Sequence, residues 1–172
     1  MKGCRAVGSA GSETKVAHLI DNLGYDAAFN YKTVPSIAAA LDENCPDGID
    51  IYFDNVGGET LAAVLERIND GARIPVCGQI SQYDLQSRQN PVDQSTLLEN
   101  ANATLEKFSI YKHMDAFDAF PPRMSAWMKD GKIVYYEDIV EGLENAPDAF
   151  IKMMAGENLG KRLVRVGDDP TL

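Results

Sequence analysis

Apolar residues along this chain fall into two alternating rhythms, which predict strands followed by helices. Cys4–Ala10 is a short apolar run that ends in small residues and predicts a strand. Ser12 then caps a helix running through Leu23, in which Val16, Leu19, Ile20 and Leu23 recur at helical spacing and Gly24 supplies a left-handed stop. Tyr25–Tyr31 predicts a second strand, and a helix follows from about Pro35, a first-turn proline, to Glu43. Ile49–Asn55 is a strongly apolar third strand, Gly57–Asn69 a helix and Ala72–Gly78 a fourth strand. Beyond a polar loop over Gln79–Pro91, the pattern predicts a helix near Asp93–Asn102, a strand near Glu106–Tyr111 and a long helix near Met114–Lys129. A strand over Lys132–Ile139, a helix over Leu143–Ala155 and a strand over Lys161–Val166 complete the chain, with no internal repeat. Strands joined by helices of this length predict an α/β fold, a parallel sheet with right-handed crossovers.

Composition narrows the class. A chain of 172 residues, 45% hydrophobic and 24% charged, suits one globular domain. The net charge of −10 disfavours non-specific binding to nucleic acid or an anionic membrane. No apolar run has the length of a membrane span and nothing at the start resembles a signal peptide, so the expected location is cytoplasmic. Three widely spaced cysteines, Cys4, Cys45 and Cys77, read as reduced thiols rather than a disulfide frame. With only His18 and His113 besides, no residue set has zinc-ligand spacing, and no metal is expected.

The candidate chemistry starts at Val7-Gly8-Ser9-Ala10-Gly11-Ser12, with Lys15 just after it and Tyr31 further on. This is a strand-to-helix corner with hydroxyls and no acid. In dinucleotide-binding folds an Asp or Glu at the corresponding corner takes the ribose 2′-OH of NAD and repels a 2′-phosphate. Ser9, Ser12, backbone N–H groups, an ammonium and a phenol suit a phosphate instead, which points to NADP(H). An S-adenosylmethionine-type Rossmann enzyme would want an acid here and finds none.

These strings resemble a known family, the zinc-independent medium-chain dehydrogenases/reductases. Within it they resemble the branch of prostaglandin reductase (leukotriene B4 12-hydroxydehydrogenase) and NADPH-dependent alkenal reductase. The similarity runs through Val7–Ser12 with Lys15, Phe29-Asn30-Tyr31-Lys32, Tyr52-Phe53-Asp54-Asn55-Val56-Gly57-Gly58, Cys77-Gly78-Gln79-Ile80-Ser81 and Gly156-Glu157-Asn158-Leu159-Gly160-Lys161, in order. The resemblance implies a Rossmann-like parallel sheet with helices on both faces. Family members are about twice as long, with a catalytic domain first. Residues 1–172 therefore resemble the NADP-binding Rossmann-type domain entered at its second strand, without the usual first strand and glycine-rich turn. Residues 132–172 resemble segments that return to the catalytic domain. The strands Cys4–Ala10 and Ile49–Asn55 are expected to lack their shared neighbour. That leaves direct pairing of the two, a strand donated by another chain, or poor order, and predicts something other than an ordinary stable monomer.

The resemblance also implies roles. Lys15 and Tyr31 match 2′-phosphate contacts, with Ser9 as an added hydroxyl and Ser12 as a helix cap in any case. Asn55 matches a residue beside the nicotinamide ribose; the plainer reading is a turn in which Asp54 or Asn55 caps locally. Cys77, Gly78, Ile80 and Ser81 would meet the nicotinamide carboxamide through backbone groups, Cys77 serving as a small apolar wall. Tyr83 matches a tyrosine that orients the reacting carbonyl or donates a proton, and Asn158 a cofactor-contacting amide. Phe117, Phe120 and Trp127 read as helix packing. The implied reaction is hydride transfer from NADPH to the double bond of an α,β-unsaturated ketone or aldehyde, a small-molecule enone or enal, in a homodimeric enzyme. The chain alone would have little turnover. The alternative is a non-enzymatic, truncated nucleotide-binding or assembly module.

Overall fold

In the computed structural model, which describes residues 3–83 and 94–168, two serines start the first two helices. Ser12 Oγ accepts the backbone N–H of Lys15 at 3.3 Å and begins α1 (Glu13–Asp21). Ser36 Oγ accepts the N–H of Ala39 at 3.1 Å and begins α2 (Ile37–Asn44). Each hydroxyl satisfies a donor with no partner inside its helix, a contribution of about 1 kcal/mol. Pro35 thus lies one residue before the cap, not in the first turn as the sequence predicts. After α1 the chain turns at Gly24, whose φ of 71° is open to glycine, and Tyr25 N–H donates to the carbonyl of Leu19 at 3.0 Å.

The described residues divide into two compact units, one made of residues up to 28 together with those from 122 onward, the other of Phe29–Pro121. In the first, β1 (Val7–Ala10) hydrogen-bonds β2 (Ala27–Asn30), the strand that leads into the second unit. Ala6 fixes the approach: its N–H donates to Asp26 Oδ2 at 2.7 Å and its carbonyl accepts Asp26 N–H at 3.0 Å.

The second unit is built on a three-stranded parallel sheet in the order β3 (Ile49–Ile51), β4 (Ile68–Val76), β5 (Thr104–Lys107). Ile74 and Val76 of β4 pack with Leu61 and Leu65 of α3 (Gly58–Leu65), and Leu97 and Leu98 of α4 (Gln94–Asn100) close the cluster. Leu61, Leu65 and Ile74 are at most 2% exposed, so each contributes about 2 kcal/mol by leaving water. The Arg67 guanidinium, just beyond α3, grips α2 with Nε and a terminal nitrogen 2.7 and 3.0 Å from the Asp42 carboxylate. That bond holds the Asp42 carboxyl below the usual carboxylate range.

The later part of the first unit holds α5 (Phe120–Lys129), β6 (Glu137–Glu141), α6 (Ala146–Met154) and β7 (Lys161–Arg165). β6 and β7 pair in parallel from Glu137 opposite Lys161 to Glu141 opposite Arg165. Asp138 Oδ2 accepts from Arg162 at 3.0 Å and from Leu159 N–H at 3.0 Å, locking the register.

The α/β order agrees with the hydrophobic pattern, and several boundaries do not. The predicted helix Gly57–Asn69 ends at Leu65, because Ile68 and Asn69 already belong to β4, with Ile68 opposite Ile49. The long helix Met114–Lys129 is two pieces: a kinked 3-10 segment over Ile110–Ala116 and then α5. Pro121 and Pro122 explain the break, since they lack N–H groups and fit only a first helical turn. β5 ends at Lys107, short of Tyr111, and β6 starts at Glu137, so Lys132–Tyr136 is not strand. In the predicted loop Gln79–Pro91, Ile80–Gln82 forms one 3-10 turn, and residues 84–93 lie outside the described residues. Among the described residues β1 hydrogen-bonds β2 and no other strand, and β3 hydrogen-bonds β4 and no other strand. Each has one open edge.

Candidate functional site

The two units carry different parts of the candidate set. In the first, the end of β1, one face of α1, the segment before β6 and the turn before β7 line an open cavity of about 270 Å³. Ser9, Lys15 and Asn158, far apart in sequence, all line it, with His18, Tyr136 and Gly160 among their neighbours. No acid lines it. Lys15 is held there by its place in the first turn of α1 and by a 2.6 Å bond from Nζ to the carbonyl of Gly156, beyond the end of α6. An ammonium has three donors, so two remain for an incoming anion. Asn158 Nδ2 donates to the carbonyl of Gly160 at 2.8 Å, which fixes the amide at the rim.

Ser12 acts as the cap of α1. His18, one turn beyond Lys15, bonds Asn22 Oδ1 through Nδ1 at 3.0 Å and packs edge-on against Tyr136, ring centroids 4.3 Å apart. Its Nε2 is buried with no hydrogen-bond partner among the described residues. Its place in this cavity was not foreseen; the i, i+3 spacing from Lys15 puts both on one face of α1 and is the signal that carries it. Tyr31 belongs to the second unit, where it follows β2 and is 47% exposed.

In the second unit the remaining candidates cluster at the carboxyl ends of β3 and β4. Asn55 and Cys77 are exposed. The carbonyl of Asn55 accepts Ile80 N–H at 3.2 Å, and that of Val56 accepts Ser81 N–H at 3.1 Å and Ser81 Oγ at 2.6 Å. Two glycines make this contact possible: Gly57 has φ 70° and a Cβ there would sit 3.0 Å from Gln79 Cβ, and a Cβ on Gly58 would sit 2.8 Å from Ser81 Oγ. The Tyr83 hydroxyl reaches over Gly78, 3.3 Å from where a Cβ would stand. Asn55, Cys77, Gly78, Ile80, Ser81 and Tyr83 are therefore one local group.

The local cap in this group is Asp54, not Asn55. Its Oδ1 accepts Val56 N–H, Gly57 N–H and the Tyr52 hydroxyl, each at 2.9 Å. Burial, followed by the Asp54 charge and their hydrogen bond, pushes the Tyr52 phenol up, so it remains a donor. Among the described residues no three of His, Cys, Asp and Glu are grouped to hold a metal ion. No helix there is long and apolar enough to cross a membrane.

The sequence profile of the zinc-binding dehydrogenase family matches residues 23–164. The chain belongs to this family. It is 43% identical over 166 residues to the NADP(+)-dependent 2-alkenal reductase of Nicotiana tabacum, covering 96% of this chain and 48% of that protein. It is 42% identical over 166 residues to prostaglandin reductase 1 of Bos taurus, covering 96% of this chain and 50% of that protein. The crystal structure of CurA from Vibrio vulnificus in complex with NADPH superimposes with a TM-score of 0.89 at 40% identity, over 98% of this chain and 51% of that one. The family chain thus spans about half the length of the relatives it matches. The resemblance read from the sequence holds at the level of the family and of these relatives, and the shared fold is the Rossmann-like α/β fold expected from it.

Proposed function

We propose that this chain is the NADP(H)-binding part of an oxidoreductase that reduces the double bond of α,β-unsaturated ketones or aldehydes. One observation carries the reading: Ser9, Lys15 and Asn158 converge on a cavity that no acid among the described residues lines. A ribose 2′-phosphate fits that donor set, and a carboxylate that would select the free 2′-OH is missing from it. The relative named NADP(+)-dependent 2-alkenal reductase supports the same cofactor and substrate class, and the one named prostaglandin reductase 1 supports a reductase.

In this reading Lys15 neutralises the 2′-phosphate as a point charge, and the Ser9 hydroxyl donates to it. Asn158 fixes the neighbouring part of the cofactor. Asn55 and the backbone of Cys77, Gly78, Ile80 and Ser81 orient the nicotinamide half. NADPH, when bound, supplies the hydride that adds to the β-carbon of the enone. Tyr83 donates a hydrogen bond to the carbonyl oxygen as negative charge develops there, and a proton from solvent water adds at the α-carbon, giving the saturated carbonyl. No step in this scheme uses zinc, despite the family's name. The location is cytoplasmic and the assembly a homodimer.

The test is enone consumption by the purified chain with NADPH present. Cofactor binding with little turnover is the expected result. Robust reduction of a simple enone contradicts the assignment of this chain as the binding part alone, and failure to bind NADPH contradicts the reading as a whole.

A further inference from the structure

Asp54 is fully buried, and Asn30, 7% exposed, is the only other polar or charged residue in the core of the described residues. A carboxylate in such a place is costly unless it is paired or well hydrogen-bonded. Its Oδ1 meets this cost with three donors at 2.9 Å, from Tyr52, Val56 and Gly57, while Oδ2 has no partner among the described residues. Its main chain reaches the next strand end as well. The Asp54 N–H donates to the carbonyl of Pro75 at 3.0 Å, and its own carbonyl accepts Cys77 N–H at 2.8 Å and Gly78 N–H at 3.1 Å. The residues that follow, Asn55 and Val56, take the N–H groups of Ile80 and Ser81. Loops 54–58 and 77–81 are thus joined by main-chain bonds of Asp54, Asn55 and Val56, and the first of these residues is fully buried.

Resting on the function proposed above, we infer that Asp54 is a positioning residue: its buried carboxylate fixes turn 54–57, and the main-chain bonds of that turn seat loop 77–81 where the two receive the nicotinamide half of the cofactor. A cap alone needs only one acceptor on a turn at the surface. Here the acceptor is buried and its backbone ties two strand ends together, so loosening it moves both loops.

Asp54→Ala strands the N–H groups of Val56 and Gly57 and the Tyr52 hydroxyl. Affinity for NADPH and for NADH is expected to fall by the same factor, about tenfold, as for loss of one buried hydrogen bond to a charged acceptor. Asp54→Asn keeps an acceptor oxygen for those donors and is expected to lose less affinity than Asp54→Ala, for both nucleotides alike. Lys15→Ala provides the contrast, because it acts on NADPH alone. Amide hydrogen exchange at Val56, Gly57 and Ser81 reads the loops directly. Exchange there speeds up in Asp54→Ala, or in Tyr52→Phe should the alanine variant not fold. Unchanged exchange in these variants overturns the inference, and so does a loss confined to NADPH. A wild-type chain that binds neither nucleotide defeats the proposed function, and the exchange measurement still decides the role of Asp54.

Discussion

Lys15 has two tasks, and they share one ammonium. It bonds the Gly156 carbonyl beyond the end of α6 and presents its remaining donors to the cavity. On the proposed function, Lys15→Ala removes a charge-assisted contact to the 2′-phosphate and is expected to weaken NADPH binding about tenfold or more while leaving NADH unchanged. A titration of the variant with both nucleotides checks this; an equal loss for both would place Lys15 outside the phosphate contact. The corner around Lys15 was legible in sequence because the signal is chemical: hydroxyls and a lysine where an acid would otherwise stand. His18 was not legible, because an isolated histidine on a helix gives no sign of the Tyr136 ring it packs against across more than a hundred residues. Asp54 was legible as one of two local caps. That it is the cap, and buried, follows from the Tyr52 phenol and the two turn N–H groups converging on one oxygen.

Elements were more legible than their ends. Apolar spacing found α1 and α2, and their serine caps bear out the reading of local chemistry at Ser12. It failed at α3, since Leu61, Leu65 and Ile68 continue a helical rhythm although the chain has already left the helix to pair Ile68 with Ile49. Periodicity does not register a parallel partner many residues away. At α5 the sequence did hold the signal, Pro121-Pro122, which limits where the helix can start. The link between α2 and the end of α3 leads to a pH effect. Arg67 lowers the Asp42 pKa chiefly through their hydrogen bond, so the stabilisation is complete above the ordinary carboxylate range and is lost as pH falls through the depressed value. Melting temperatures of wild type and Asp42→Asn should therefore differ near neutral pH and converge in acid. A gap that persists in acid would show that the pair does not act through ionisation.

At the scale of the molecule, β1 and β3 each keep one open edge among the described residues, and open edges recruit other chains. The chain is therefore expected to unfold over a broad range or to self-associate, as read by calorimetry with sedimentation velocity. A sharp melt from a monomer would contradict this. The family and its fold were legible from five ordered motifs, whereas the division into two compact units was not, because no composition shift marks it. The central claim is that the acid-free cavity of Ser9, Lys15 and Asn158 selects a 2′-phosphate. Calorimetric titration of the purified chain with NADPH and with NADH tests it most directly. Binding of NADPH well above that of NADH is the predicted result; equal affinity for the two would contradict it.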